Sequence, residues 1–402
     1  MNIVMFASDN KGVSVLKNVA KEIIKRKEKH NYFFLFSDKN QLQMPGDLSN
    51  FYYDTNCNFT NSVLSQTLSC HLPFKPDVLI IQRERWQPEQ SIIYEFKKIF
   101  NAKVYVVEVS SHITNNIENR LEMISRDKDP QNMVDGYFEH SEFAKQRRID
   151  CLYPEWAEKS IVVGNPRFDI LDDIDEDRCI MKYDIDQTKK QILFWGVQNT
   201  TRKKALELLQ ELCIFNRNEY QIFYKCYPGE PHNALFKHQF NPFIIPEVEV
   251  IYDNSDINTM SKLCDIHIGA VTSVYNYGFY FDKKIVNLNS VCDIQEYMND
   301  MKRYENETKD GVEDSAQFWM NIHKLKTIDE FKEFVNMDRL EKFKETNEYV
   351  MDMARKHIND YDLDYNFLTA DKKERKEFIK LFDEFNDNKA SERIVNYLEE
   401  NV

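Results

Sequence analysis

Glycine is scarce in this sequence, and the glycine-based nucleotide motifs are missing. The chain has 9 glycines among 402 residues, against about 7% in an average protein. It has no G-x-G-x-x-G after its first predicted strand and no G-x-x-x-x-G-K-[ST] anywhere. Dinucleotide oxidoreductases and P-loop enzymes therefore lose their main support. H-E-x-x-H and G-x-S-x-G are missing as well, so the proteases and hydrolases built on those motifs are not supported either.

Long apolar runs and paired cysteines are also missing. The apolar runs are of the size of Val78–Ile81, far below the roughly 18 residues that span a bilayer. The segment Met1–Ala7 predicts a first strand and has no basic leader, so we expect no signal peptide. The eight cysteines are scattered without a C-x-x-C pair, which favours a reduced, cytoplasmic setting. Association with the inner membrane through a partner stays open, although we find no basic amphipathic helix to support it.

Positive charge is in deficit. Lysine and arginine total 53, aspartate and glutamate total 67, and the formal net charge is −14. This balance repels phosphate backbones, so we expect no nucleic-acid partner. Hydrophobic residues at 42% and charged residues at 30% are typical of globular proteins. At about 150 residues per domain, the length predicts two domains and a smaller third piece.

Short runs rich in Val, Ile, Tyr and Phe alternate with segments of helical period along the chain. This alternation is typical of parallel sheets covered by helices on both faces. A first series ends near Gly164, the aspartate-rich stretch Leu171–Lys190 predicts a loop, and only helices are predicted after Thr327. The predicted fold is α/β, with an N-terminal Rossmann-like domain (1–165), a C-terminal Rossmann-like domain (166–326) and a helical tail (327–402) whose last helix is a candidate to pack back on the first domain.

A loop at the predicted domain junction is the first candidate site. The segment G-N-P-R-F-D follows a strand and contains Gly164, Asn165, Arg167 and Asp169. The loop is either a structural hinge, in which Arg167 and Asp169 pair with each other, or a direct contact to substrate.

Two further segments predict a phosphate site in the second domain. Lys225 ends a strand before a Pro-Gly turn, and Thr272 and Ser273 follow a later strand and begin a helix. A helix N-terminus with hydroxyl side chains and free amides suits a diphosphate, and Lys225 would add positive charge. Thr272 and Ser273 would alternatively serve only as helix caps. Asn199 and Arg202 lie at another helix start and either reach phosphate or cap.

The order of these motifs resembles the GT-B glycosyltransferase superfamily. The motifs are G-N-P-R-F-D, then K-x-[HY]-P-G-E, then a strand, loop and helix with a hydroxyl pair, then K-K-I-V-N-L. Bacterial surface-carbohydrate biosynthesis proteins and CDP-glycerol glycerophosphotransferases are the most similar members. The resemblance covers roughly residues 130 to 300 and the S-E-R-I at the start of the last helix.

This resemblance implies an acceptor domain, a donor domain and a nucleotide-activated donor held between them. It places Lys225, Thr272 and Ser273 on the donor phosphates and Glu230 near the nucleotide or the donor hydroxyls. Tyr227 stands where the relatives usually have histidine. A phenol can donate to a phosphate oxygen but carries no imidazolium charge. The identity of the transferred group therefore stays open.

The reaction requires stabilisation of the leaving diphosphate and, for inversion, a base that deprotonates the acceptor hydroxyl. Superfamily members generally manage the first without a metal, and no D-x-D triplet stands at a predicted strand end. We therefore expect neither a metal nor another cofactor. The candidate bases lie in first-domain loops and include Asp9, Glu84 and Glu108. His112 leads because imidazole titrates near neutral pH, although a satisfied loop histidine is the plainer interpretation.

Arg83, Arg85 and Trp86 are candidates to bind an acceptor by hydrogen bonding and ring stacking; alternatively they form a solvated turn. His267, between two isoleucines, is interpreted as a core histidine. The protein is predicted to be an enzyme, a glycosyltransferase of surface polysaccharide synthesis. It would move a sugar from a nucleotide-activated donor to a glycan, a lipid-linked acceptor or another acceptor with a hydroxyl group. The alternatives are a CDP-polyol phosphotransferase, a UDP-sugar 2-epimerase and a non-catalytic scaffold that uses the acidic tail. The sequence leaves the oligomeric state open.

Overall fold

The computed structural model describes residues 1–7, 10–37, 51–54, 72–84, 87–107, 133–151, 154–196, 202–216, 218–226, 248–251, 256–269, 275–288, parts of 326–360, and 372–402. The chain forms two compact units. Unit 1 contains Met1–Leu171, Ala316–Glu348 and Ile379–Val402, and unit 2 contains Asp172–Ser315 and Tyr349–Phe378. The C-terminal tail therefore supplies residues to both units.

The regular elements of the described residues are numbered in chain order. The strands are β1 (Asn2–Ala7), β2 (Asn31–Ser37), β3 (Phe51–Asp54), β4 (Val78–Ile81), β5 (Lys103–Val107), β6 (Gly136–Glu139), β7 (Ser160–Val162), β8 (Lys190–Trp195), β9 (Tyr220–Lys225), β10 (Val248–Ile251), β11 (Ile266–Gly269), β12 (Lys284–Asn287) and β13 (Asn359–Asp360). The helices are α1 (Asn10–Lys25), α2 (Gln87–Glu95, continued by a π-helical turn to Phe100), α3 (Glu142–Cys151), α4 (Glu176–Lys182), α5 (Arg202–Asn216), α6 (Ile257–Leu263), α7 (Tyr275–Tyr280), α8 (Lys372–Lys380) and α9 (Ala390–Asn401).

Unit 1 is built on a seven-stranded parallel sheet in the order β3-β2-β1-β4-β5-β6-β7. The chain first winds outward from β1 to β3 and then returns to the other side of β1 at β4. Met5 is in register with Phe34 on one side and with Ile80 on the other. The direction of winding therefore reverses between β1 and β4, and ligands of such sheets bind beyond the carboxyl ends of the strands at this switch point.

Alternate residues of β1 face two separate cores. Ile3 and Met5 pack with the apolar stripe of α1, and α9 packs into the same cluster through Ile394, Val395 and Leu398. Val4 and Phe6 pack on the other face with α2. The sheet is buried on both faces because successive side chains of a strand point to opposite sides, which explains the uninterrupted apolar composition of its central strands.

Unit 2 repeats this plan with six strands in the order β10-β9-β8-β11-β12-β13. All described pairings in it are parallel, and the switch point lies between β8 and β11. One face is covered by α5, whose Leu209 and Leu212 pack against Phe194 and Ile268 of the two central strands. The α/β class with two Rossmann-like sheets is confirmed, and α8 and α9 form helices of the tail as predicted.

The loop predicted for residues 171–190 is wrong, because this stretch contains α4. Asp175 caps the helix by accepting a hydrogen bond from the Arg178 backbone at 3.1 Å. The buried carboxylate of Asp256 pairs with Arg178 and accepts hydrogen bonds from Lys182 Nζ at 2.6 Å and the Tyr183 hydroxyl at 2.7 Å. Asp175, one of the aspartates that suggested a loop, therefore caps a seven-residue helix that is too short to show a clear period, and Asp256 from outside this stretch anchors it.

Two short strands were also not predicted. β3 pairs with the outer side of β2, and β13 adds two residues to the edge of the second sheet inside the segment predicted as purely helical. The sequence N-D of β13 carries no apolar alternation, so pairing with β12 alone defines it. None of the helices in the described ranges is both long and apolar enough to span a membrane.

Candidate functional site

The carboxyl edge of the second sheet brings Trp195 and Lys225 together. They are the last residues of β8 and β9 and are register partners, and the Gly196 N–H donates to the Lys225 carbonyl at 2.8 Å. Their predecessors Phe194 and Tyr224 both belong to the core cluster under α5. Because side chains alternate along strands, Trp195 and Lys225 share the opposite face, next to the switch point between β8 and β11.

Trp195 is held by two aromatic neighbours. Its indole stacks on the Tyr277 ring with centroids 6.3 Å apart and planes 17° apart, and the His267 ring lies 5.9 Å away. The side chain is 4% exposed. Among the described residues, its Nε1 has no hydrogen-bond acceptor. The orientation of the indole is thus fixed by packing.

His267 is a core histidine, as the sequence predicts. It is fully buried, and its Nε2 donates to the Ser261 carbonyl at 3.0 Å. Burial, with smaller contributions from Lys283 and Arg375, lowers its pKa to about 3. The ring is therefore neutral near pH 7, which makes it a packing partner of Trp195 and not an acid or a base.

The predicted donor-binding residues are only partly described. Lys225 is half-buried, and its Nζ lies 3.5 Å from the carbonyl oxygen of Ile251 at the end of β10. Arg202 is the first residue of α5. The other donor-binding candidates lie outside the described residues: Asn199, Tyr227, Glu230, Thr272 and Ser273.

Gln82 lies beside the switch point of the first sheet and contacts the start of α1. This residue follows β4, is buried, and its Oε1 lies 1.1 Å from the position that a Cβ of Gly12 would occupy. Gly12 lies near the start of α1, so the absence of a side chain there lets Gln82 approach the backbone of the helix. This contact was not predicted, and its signal in the sequence is a glycine within the helix that follows the first strand.

Two buried carboxylates, those of Glu89 and Glu84, lie near the predicted acceptor residue Arg83. Its Nε donates to Oε1 of the fully buried Glu89 at 3.3 Å. Glu84, a base candidate, is 1% exposed at the same strand end. The remaining predictions for this unit lie outside the described residues: the acceptor residues Arg85 and Trp86 and the catalytic candidates Asp9, Glu108 and His112.

The junction loop is bound to the returning C-terminal segment. Gly164 has φ of +91°, and a Cβ there would lie 2.9 Å from Oδ1 of Asp383. Asn165 donates through its backbone N–H to Asp383 Oδ1 at 3.2 Å and through its side chain to the Phe382 carbonyl at 3.1 Å. The Pro166 carbonyl accepts from the Asn18 side chain at 2.7 Å. The motif thus joins α1 to a segment more than two hundred residues further along the chain.

Asp169 caps α9 from this loop. Its carboxylate accepts the backbone N–H groups of Ala390 at 3.1 Å and Ser391 at 2.6 Å. A negative charge at a helix N-terminus is stabilising. The sequence left open a pair between Arg167 and Asp169, and the structure instead assigns both oxygens of Asp169 to α9. Arg167 itself donates its backbone N–H to the Asn165 side chain at 3.1 Å.

Burial makes two carboxyl groups of this loop contact unusually weak acids. Burial, with smaller contributions from the charges of Asp169 and Asp387, raises the pKa of Asp383 from 3.8 to about 6 against the opposing effect of the Asn165 N–H. Burial also raises the pKa of Asp169. The contact between the loop and the tail is therefore sensitive to protonation.

Several solved structures are similar to the whole chain, although no family model and no curated protein matches it. MnaA from S. aureus, determined with UDP, has a TM-score of 0.56 and 15% identity over 99% of this chain and 96% of that one. UDP-GlcNAc 2-epimerase from Methanocaldococcus jannaschii has a TM-score of 0.55 and 12% identity over 100% of both chains. The wall teichoic acid polymerase TagF, soaked with CDPG, has a TM-score of 0.54 and 12% identity over 99% of this chain and 88% of that one.

The chain has the GT-B fold. Its structural neighbours are GT-B proteins, and the two sheets with matching strand orders are the common architecture. This confirms the fold that the motif resemblance implied. Identities of 12–15% establish the fold, and function has to be argued from the site.

Proposed function

We propose that this protein is a glycosyltransferase that uses a nucleotide-activated sugar. The observation that carries the proposal is the placement of Lys225 at the carboxyl edge of the second sheet, at the end of β9 and one strand away from the switch point between β8 and β11. Sheets of this strand order bind nucleotides at that edge, and a lysine there suits a diphosphate. The similarity to proteins determined with UDP and with CDPG supports the same ligand class.

In the proposed reaction, unit 2 binds the donor and unit 1 the acceptor. The bond between the anomeric carbon and the diphosphate oxygen breaks, the acceptor oxygen bonds to that carbon, and the acceptor proton passes to a base. Lys225, with Asn199, Arg202, Thr272 and Ser273, neutralises the leaving diphosphate, because positive charge and N–H donors are worth most where negative charge develops. Tyr227 and Glu230 belong to the same donor site.

His112 is the proposed base, with Glu108 and Asp9 as the alternatives. The base takes the proton of the acceptor hydroxyl, a glycan or lipid-linked group. Arg83, Arg85 and Trp86 are proposed to hold this acceptor. Arg83 forms an ion pair with the buried Glu89. A guanidinium that already has one fixed partner loses less conformational freedom when it binds a second, which supports this role for Arg83.

Two other reactions are supported by particular comparisons. The similarity to TagF favours transfer of a polyol phosphate from a CDP-polyol. The similarity to the 2-epimerases favours epimerisation of the sugar in a UDP-sugar, a reaction that needs no acceptor. The three reactions release different products from the nucleotide donor. Glycosyl transfer releases a nucleoside diphosphate, polyol-phosphate transfer releases CMP, and epimerisation releases the isomerised UDP-sugar.

The test is a binding screen followed by product analysis. Calorimetry with UDP, CDP, GDP and CMP identifies the nucleotide, and chromatography of reactions with the corresponding activated donors identifies the product. We expect release of the nucleoside diphosphate only when an acceptor is present. Release of CMP, or isomerisation without acceptor, would replace glycosyl transfer by one of the two other reactions. Binding of none of the nucleotides would leave the non-catalytic scaffold as the better interpretation.

A further inference from the structure

His357 lies in an aromatic contact between the tail and α7. It precedes β13 by two residues and is 2% exposed. Its ring lies 5.3 Å from the ring of Phe378 in α8 and 6.4 Å from the ring of Phe279 in α7. These two phenylalanines pack edge to face at 4.8 Å. The imidazole thus joins two segments of the tail to α7 within unit 2.

Neither ring nitrogen of His357 has a hydrogen-bond partner among the described residues. A neutral imidazole leaves one donor and one acceptor unpaired in such a place, whereas an imidazolium would leave two donors and a full charge unpaired. Burial without a partner costs far more free energy for a charge than for a neutral polar group. The contact therefore suits the neutral ring and disfavours the protonated one.

Arg375 of α8 brings a positive charge to the same contact. It is 6% exposed, its Nη1 donates to Asp282 Oδ1 at 2.8 Å, and its guanidinium lies over the Phe279 ring at 5.7 Å. The ring that could stabilise a cation on His357 thus already faces one. A proton on His357 would add a second positive charge beside this guanidinium.

The other charges near His357 come from its own segment, α8 and the residues after α7. α7 itself contains no carboxylate and no cation. Asp282 and Lys283 follow it, Lys284 begins β12, Lys372 and Glu374 lie in α8, and Lys356 precedes the histidine. Burial and then Arg375 lower the pKa of His357, Lys356 adds to them, and Glu374 opposes the shift. The ring is therefore neutral near pH 7.

We propose that His357 is a pH-sensitive switch whose protonation separates α8 and the segment before β13 from α7. The contact is closed at neutral pH and opens in acid. In the open state the ring is solvated and binds a proton more tightly than in the closed state. The stability of the contact is therefore fully present above pH 6.5, the ordinary pKa of histidine, and is lost as the pH falls below that value.

The experiment measures local opening of α8 in the full chain. Amide hydrogen exchange of residues 376–378 is followed at pH 7.5 and pH 5.5 and corrected for intrinsic exchange rates. We expect the opening equilibrium to increase several-fold at the lower pH, with about 10-fold as the limit for a ring that stays neutral in the closed state. In His357→Leu, which cannot titrate, the opening equilibrium should be the same at both pH values.

Phe378→Leu is the matched control, because it removes a ring from the same contact and keeps the histidine. It should increase opening at both pH values and keep the ratio between them, so that loss of packing is distinguished from titration.

Three results would overturn the proposal. The first, which needs no variant, is opening of the unmodified chain that does not increase in acid. The second is an unchanged pH ratio in His357→Leu. The third is an equal loss of protection in β8 and β11, because acid would then act on the whole of unit 2, in which His267 is also buried and neutral.

Discussion

Asp383 is a buried acid whose protonation state is tied to the stability of unit 1. Its pKa is about 6 in the folded chain against an ordinary value of 3.8. The folded state therefore binds the proton more tightly than the unfolded state. By linkage, the contribution of Asp383 to stability is fully present below pH 4 and is lost as the pH rises through 6.

Lowering the pH from 7.5 to 5 should therefore stabilise the protein through Asp383 by about 1 kcal/mol, because pH 5 is one unit below the folded pKa and each unit is worth about 1.4 kcal/mol. Asp383→Asn should lose this gain. The measurement is denaturant unfolding of both proteins at the two pH values. The pKa of Asp169 is also raised, so the Asp383→Asn variant should keep a smaller dependence of its unfolding free energy on pH. Equal slopes in the two proteins would show that Asp383 does not titrate in this window.

The residues of the junction loop illustrate what sequence could and could not reveal. The motif from Gly164 to Asp169 is visible as a turn with a glycine, a proline and two charges. Its partners Phe382, Asp383 and Ala390 stand more than two hundred positions later, and no local pattern connects them. The sequence therefore located the loop and left its role open between hinge and substrate contact, because only the folded chain shows which groups it binds.

At the scale of elements, α9 depends on a cap that another part of the chain supplies. Lys389, at the N-cap position before α9, makes no capping hydrogen bond with its side chain. Asp169 accepts the N–H groups of Ala390 and Ser391 instead. The residue that begins the helix and the residue that caps it are thus distant in sequence.

Asp169→Ala should destabilise unit 1 by about 1–2 kcal/mol, the usual cost of removing an N-terminal cap. Amide hydrogen exchange should accelerate at Ala390 and Ser391 first, because these N–H groups lose their acceptors. Glu400→Ala, which removes an exposed carboxylate at the other end of the same helix, is the control. Unchanged exchange at both amides would contradict the capping role.

Elements were predictable from sequence where apolar residues were numerous. The central strands of both sheets are rich in apolar residues, and the alternation of such runs with helical segments predicted their presence. α4 and β13 were missed because seven residues with one buried cysteine, and two polar residues, carry too little periodicity. Burial against neighbouring elements, and not local propensity, determines these short elements.

At the scale of the molecule, the alternation of strands and helices was sufficient to predict two Rossmann-like sheets. The order of the strands within each sheet was not predicted and is known only from the folded chain. The sequence offered the last helix only as a candidate to pack on the first domain, because the apolar stripe of α9 shows that the helix is buried and does not show which sheet it covers. Ile394, Val395 and Leu398 are all fully buried in the core of unit 1.

Removal of α9 should therefore unfold unit 1 and leave unit 2 folded. Each of its three central apolar side chains contributes about 1.5–3 kcal/mol of burial, and together they approach the whole stability of a typical domain. A chain ending at Lys389 should lose amide protection in β1–β7 and keep it in β8–β12. A chain lacking only Asn401 and Val402, both exposed, is the control and should keep both sets protected.

The division of the chain also sets an order of events during synthesis. Both segments of unit 2, Asp172–Ser315 and Tyr349–Phe378, precede the last segment of unit 1, so all residues of unit 2 are synthesised before Ile379–Val402. The smaller sheet can be completed on the nascent chain, whereas the larger one must wait, with the α1 surface that receives α9 still uncovered. Translation that stops early in the last helix would consequently yield a protein with a folded unit 2 and an aggregation-prone unit 1.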